Sequence, residues 1–222
     1  NHMLRIYYLK LSDYQAYPEE YFFPHVSKDT WESTRQFLNK KVRQTKLLSE
    51  TLTRQLINQT WGLSSKDYQL VKGEHGKPYL KVQNISAHFN ISHSGDYIIC
   101  AISDQNVGID IELCGKPRLN VAKRFFHPQE IALLNKTTDE KLQQKLFFNL
   151  WSVQESYLKY TGSGLSTPLS SFEVCFTGNN ITLKKEHSLL PIMVQECPID
   201  PNYSSFVCCQ SIESFTIDSL KL

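Results

Sequence analysis

The sequence predicts an α+β fold of two similar halves, each a small, mainly antiparallel sheet packed with helices. Three observations lead there. Strand-like runs open the chain (Leu4–Leu11) and close its first half (Tyr97–Glu112), with a helical stretch between them. A second helical stretch runs from Leu119 to Thr161. Blocks of strand-like alternation then recur from Phe172 to Gln210 and suit antiparallel pairing. The repeated order suggests duplication, although the halves do not align residue by residue. It divides the chain into 3–112 and 113–222.

Leu4 to Leu11 (L-R-I-Y-Y-L-K-L) is rich in β-branched and aromatic residues, the composition of a strand. Tyr14 to His25 contains Pro18 and Pro24, so a loop or short helices are expected. A helix is expected from Ser27, capped by Ser27 or Asp29. It continues through Leu48, Leu52, Leu56 and Ile57 until Gly62 stops it. Arg35, Lys40, Lys41, Arg43 and Lys46 crowd its first part. They form either a solvated basic face or a cationic wall for a phosphate. Tyr68 to Val71 reads as a strand. Gly76-Lys77-Pro78 is a turn into another, and there Lys77 is either a plain surface residue or a charge delivered from a rigid support.

The densest chemistry lies between His88 and Glu112. Phe89-Asn90-Ile91 leads into Ser92-His93-Ser94, and Tyr97 to Ile102 is nearly continuous in apolar residues, as in a strand buried on both faces. After the turn Ser103–Asn106, Val107 to Glu112 alternates. Ile109 and Ile111 take one face, and Asp110 and Glu112 the other. Adjacent carboxylates repel unless a cation lies between them. A solvated strand face is the competing reading.

Leu113 to Pro117 reads as a crossover between the two halves. Leu119 to Phe126 is amphipathic and carries the basic-aromatic patch Arg124-Phe125-Phe126. His127-Pro128 opens a further helix that ends near Asn135. From Asp139 to Thr161, Leu142, Leu146, Leu150, Val153 and Tyr157 form one apolar stripe. Beside it run Phe147, Trp151, Glu155 and Lys159. An acid on a face led by two core aromatics needs a partner or a metal. An exposed Glu-to-Lys pair one turn apart is the plainer alternative.

With 41% hydrophobic residues and 21% charged, a packed soluble domain is expected rather than a disordered chain. A net charge of +2 argues against a nucleic-acid binder working by bulk charge. No apolar run reaches membrane-spanning length, and no signal peptide is expected; Asn1-His2 ahead of Met3 reads as a cloning remnant. The six cysteines lack metal-ligand spacing and several sit in apolar runs, as expected of reduced thiols in a cytoplasmic protein.

Taken in order, G-K-P-Y (Gly76–Tyr79), F-N-I-S-H-S (Phe89–Ser94), G-I-D-I-E (Gly108–Glu112), R-F-F (Arg124–Phe126), W-S-x-x-E-S-x-x-K (Trp151–Lys159) and G-x-G-L-S-x-P-L resemble the surfactin-synthetase (Sfp) type of 4'-phosphopantetheinyl transferase. That resemblance implies two pseudo-symmetric α+β halves with the active site at their interface and coenzyme A bound between them. It implies transfer of phosphopantetheine from coenzyme A to a serine of an apo acyl or peptidyl carrier protein, releasing 3',5'-ADP. Asp110, Glu112 and Glu155 would hold Mg²⁺. Glu155 would serve as base, Lys159 and His93 would contact phosphate, and Ser92, Lys77 and Pro78 would line the nucleotide side. A monomer is expected. Two departures stand out: Gln154 replaces a lysine, and Thr30 and Ser33 stand where phosphate-facing lysines are usual. Arg43 and Lys46, with Arg35 or Lys40, are the candidate substitutes, and weakened coenzyme A binding is expected. The alternatives are a metal-dependent hydrolase of nucleotide pyrophosphates and a non-catalytic carrier-binding module.

Overall fold

The computed structural model describes residues 2–222. The first half contains β1 (Leu4–Lys10), α1 (Lys28–Thr34), α2 (Lys40–Trp61), the hairpin β2 (Tyr68–Lys72) and β3 (Pro78–Val82), β4 (His88–Ser94) and β5 (Tyr97–Ser103). The second contains β6 (Val107–Leu113), α3 (Leu119–Phe125), α4 (Pro128–Lys136), α5 (Glu140–Thr161), the hairpin β7 (Glu173–Thr177) and β8 (Asn180–Lys185), β9 (Ser188–Leu189), β10 (Met193–Glu196) and β11 (Tyr203–Cys209). A last strand, β12 (Thr216–Ser219), returns to the first half and pairs parallel to β1.

The duplication that composition only suggests is explicit in the strand pairing. β5 lies between β1 and β4, and β11 lies between β6 and β10, every one of these pairs antiparallel. The long helix of each half has 22 residues and stops at a left-handed glycine, Gly62 (φ 68°) or Gly162 (φ 71°). β1 pairs from Leu4↔Ser103 and β6 from Val107↔Cys209, so Tyr7 and Leu9 stand where the second half has Asp110 and Glu112. One half thus buries an aromatic and an aliphatic side chain at the places where the other carries its acids. β6 falls on the 3–112 side of the division read from the sequence, yet it pairs as the first strand of the second sheet.

All seven residues of β5 are buried, as its apolar run requires. Ile98, Cys100 and Ile102 pack in the core with Leu48, Leu52 and Leu56 of α2. Ile99 and Ala101 pack with Ile109, Ile111 and Val207 of the second half. The halves are also joined polar group to polar group. Asn90 Oδ1, Ser92 Oγ and Ser94 Oγ of β4 accept from the backbone N–H of Ile109, Ile111 and Leu113 at 2.8, 3.1 and 2.9 Å. Side chains of alternate β4 residues thereby complete the free edge of β6.

Several expectations are corrected. The helix predicted from Ser27 to Gly62 is two helices. Asn39 caps α2 by accepting from the N–H groups of Lys41 and Val42, and Arg43 ties down the Phe37 and Leu38 carbonyls of the intervening loop. The strands after Phe172 divide between two sheets, with β7, β8 and β9 apart from β10 and β11. β12 is too short and polar to show any period. Leu142 is 65% exposed, so the stripe on α5 becomes core only after its first turns. All six cysteines are free, and no helix among the described residues is long and apolar enough to cross a membrane.

Candidate active site

The site grows from the contact of α5 with β6. A Cβ added at Gly108 would lie 2.1 Å from the Ser156 carbonyl oxygen and 2.4 Å from the Tyr160 nitrogen, so the helix rests directly on the strand. That approach sets Glu155 and Lys159 against Asp110 and Glu112. Asp110 is 4% exposed and its backbone carbonyl accepts from Ser205 Oγ at 2.8 Å. Its Oδ1 lies 3.9 Å from Lys159 Nζ and 3.5 Å from Ser92 Oγ; its Oδ2 is buried without a partner. Lys159 Nζ donates to the carbonyls of Ile91 and Ile109 at 3.0 and 2.9 Å, bridging β4 of one half and β6 of the other. Glu112 Oε1 accepts from Trp151 Nε1 at 3.0 Å, and the indole is covered by the Arg118 guanidinium 4.9 Å from its ring centre.

The three acids share one electrostatic field. Burial raises the Asp110 carboxyl well above the ordinary range; Lys159 opposes this, and Glu112 and Glu155 add to it. Glu155 is raised by burial and by Glu112, against the pull of Lys159. Burial lowers Lys159, and the three carboxylates resist that. Among the described residues, no three His, Cys, Asp or Glu side chains are closed around one point as a finished metal cage, and one Glu112 oxygen is engaged by Trp151. The donor set nonetheless fits a hard divalent cation. It consists of carboxylate oxygens, one buried and orphaned, in a cluster where Glu112 and Glu155 raise the Asp110 pKa further.

The remaining expected residues are distributed as follows. His93 projects from the exposed side of β4, its pKa lowered by lost hydration and by the charges of Lys159, Lys46 and Lys41. Lys46 also lies over the Phe37 ring at 5.0 Å. Ser92 is buried between Ile111 and Asp110. Lys77 Nζ donates to Asn106 Oδ1 and the Val107 carbonyl at 2.9 and 3.1 Å, and burial lowers its pKa to about 8. Pro78 opens β3 directly after it. Arg43 is engaged elsewhere, paired to Glu19 at 2.8 Å together with Arg35 at 3.2 Å. Thr30 donates to Glu50 Oε1 of α2 at 2.6 Å and Ser33 to the Thr30 carbonyl, so one hydroxyl ties α1 to α2 and the other stays within α1.

Gln154 points away from the acids. It is fully buried and donates through Nε2 to Glu130 Oε1 at 2.9 Å, facing the α4–β7 packing rather than the acids. Glu130 also accepts from the N–H groups of His127 and Val174. A lysine here would meet a buried carboxylate. Gln154→Lys is therefore expected to leave the coenzyme A KM within about twofold of wild type in steady-state assays, because an ion pair formed in the core adds nothing to ligand binding.

Two contributors are not evident in the sequence. Trp151 looks like a core aromatic, but its indole N–H holds Glu112; a tryptophan one turn before an inward acid is the available signal. Asn106 looks like a turn residue, yet it links Lys77 to the Tyr160 carbonyl at the end of α5.

Comparison with known proteins places this arrangement. Residues 106–206 match the 4'-phosphopantetheinyl transferase superfamily, and residues 18–105 match the N-terminal region of 4'-phosphopantetheinyl transferases. The chain is 38% identical over 191 residues to the 4'-phosphopantetheinyl transferase Sfp of Bacillus subtilis (strain 168), covering 85% of this chain and 84% of that protein. It is 36% identical over 187 residues to the transferase ffp of Bacillus subtilis, covering 82% and 81%. It is 32% identical over 192 residues to the transferase gsp of Aneurinibacillus migulanus, covering 86% and 79%. With this identity sustained across both halves, the chain belongs to the 4'-phosphopantetheinyl transferase superfamily.

Proposed function

We propose that this protein transfers 4'-phosphopantetheine from coenzyme A to a serine hydroxyl of an apo acyl or peptidyl carrier protein. The observation that carries the reading is the cluster of Asp110, Glu112, Glu155 and Lys159 where the halves meet, with one buried carboxylate oxygen left unpartnered. Mg²⁺ held by the three acids would supply positive charge at the pyrophosphate. The serine oxygen attacks the β-phosphorus, the bond from that phosphorus to the bridging oxygen breaks, and 3',5'-ADP leaves. Glu155, set by α5 beside Asp110 and Glu112, accepts the serine proton. Lys159, fixed by two backbone carbonyls, faces the departing phosphate with a charge that need not reorganise. His93 and Lys77 take the nucleotide side, and Lys46 brings the nearby charge. Both halves of the site lie in one chain, so a monomer suffices, and six free thiols suit the cytoplasm.

Incubation with coenzyme A, Mg²⁺ and a panel of apo carriers should add one phosphopantetheine to a carrier serine, read by intact-protein mass spectrometry. Breakdown of coenzyme A without a carrier would instead mark a pyrophosphate hydrolase, and no adduct on any carrier would overturn the proposal. Lys77 supplies a pH test. Only its protonated form attracts phosphate, and its pKa is about 8. The coenzyme A KM should stay level below that pH and rise by up to ~10-fold per unit above it. Lys77→Arg should remove the rise, because a guanidinium stays charged.

A further inference from the structure

We propose that Gly164, seating His75, positions Lys77, so that a loop of the second half sets coenzyme A affinity through a turn of the first; this rests on the transferase reading. The turn carrying Lys77 is tight. Gly73 N–H donates to the Lys77 carbonyl at 2.8 Å, Gly76 N–H donates to the Gly73 carbonyl at 3.0 Å, and Gly76 is left-handed (φ 86°). The loop after α5 is closed on itself as well. Ser163 Oγ lies 2.6 Å from Thr161 Oγ1 and accepts from Thr167 Oγ1 at 2.7 Å, and Ser166 Oγ donates to the Ser163 carbonyl at 2.6 Å.

These two stiff loops meet at Gly164, which is left-handed (φ 53°). A Cβ there would lie 3.2 Å from His75 Cβ and 3.9 Å from the His75 carbonyl oxygen. The Lys77 stem passes 3.7 Å from where a Cβ on Gly162 would sit. Its head is fixed by Asn106, which in turn donates to the Tyr160 carbonyl. The turn and the head of the lysine segment thus meet the second half, and its stem passes close to Gly162. His75 and Gly164 are positioning residues: a methyl group at 164 must push the His75 turn, since the loop beneath it is closed, and the push reaches Lys77 two residues on.

The test compares Gly164→Ala, His75→Gly and the double variant, using calorimetric coenzyme A Kd, KM and kcat. Gly178→Ala serves as control, since Gly178 is also left-handed (φ 62°) but nothing lies within 4 Å of an added Cβ. Gly164→Ala should raise Kd and KM roughly 5- to 10-fold with kcat nearly unchanged. His75→Gly, by removing the opposing Cβ, should restore most of the affinity in the double variant. Gly178→Ala should shift melting temperature alone. The proposal is overturned if Gly164→Ala binds coenzyme A like wild type, or if the two substitutions simply add. A wild-type protein that binds coenzyme A but modifies no carrier would defeat the transferase reading while Kd still decides the seat.

Discussion

Asp110→Asn is expected to abolish transfer and, at the same time, to make the metal-free protein more stable. Asp110 is buried, its Oδ2 has no partner, and Glu112 and Glu155 both raise its pKa. A neutral amide of the same shape removes that repulsion and supplies a donor to the neighbouring acids. Lys159 loses one partner but keeps Glu155 and Glu112, and each kcal/mol of repulsion relieved should raise the melting temperature by ~2–4 °C. The pH dependence has a definite sign. A carboxyl whose folded pKa is raised stabilises the fold below its unfolded pKa, here near 3.8, and that contribution is lost as pH rises toward the folded value. Metal-free wild type should lose stability across that window, and Asp110→Asn should lose less. Transfer should fall at least ~10²–10³-fold, since the charge that orders the reacting phosphate is gone. A purely structural aspartate would do the reverse: its loss would lower the melting temperature and spare activity. Calorimetric melting beside the mass-spectrometric assay separates the two.

Gly108→Ala is expected to be the most damaging single methyl group in the chain. The added carbon would lie 2.1 Å from one backbone atom of α5 and 2.4 Å from another, neither of which can swing aside like a side chain. The helix must lift from β6. Overpacking of this kind costs ~1–3 kcal/mol or more, about 10 °C at the upper end for a chain of this size. The same lift carries Glu155 and Lys159 away from Asp110, so residual activity should fall further than stability, by roughly 10²-fold. Melting temperature, kcat and KM measured on the same preparation check both effects. Gly62→Ala, at a left-handed helix end with nothing within 4 Å, should cost stability alone.

How far these features were legible follows from the physics of each. The alternation of Val107 to Glu112 and the inward face Phe147-Trp151-Glu155-Lys159 are local periods, so the acid pairing could be read directly. The break between α1 and α2 was hidden because basic and apolar residues run through it; only Asn39, an ordinary cap residue, marks it. Whether a turn residue serves the site depends on distant partners. Asn106 reaching Tyr160, Gly164 seating His75 and Gln154 facing Glu130 leave no period in the chain. The candidate phosphate cations show the same limit: Arg43 and Lys46 are near neighbours in a basic run, yet Glu19 claims one while the other's charge reaches His93.

The most direct test is a Mg²⁺ titration of thermal stability in the presence of coenzyme A, run on wild type and on Asp110→Asn and Glu155→Gln. If the acids of β6 and α5 hold one cation, the wild-type melting temperature should climb with Mg²⁺, a cation at ~100 times its Kd contributing about 2.7 kcal/mol, while neither variant responds. An equal climb in all three proteins would mean that the cation sits elsewhere and that the cluster does not hold it.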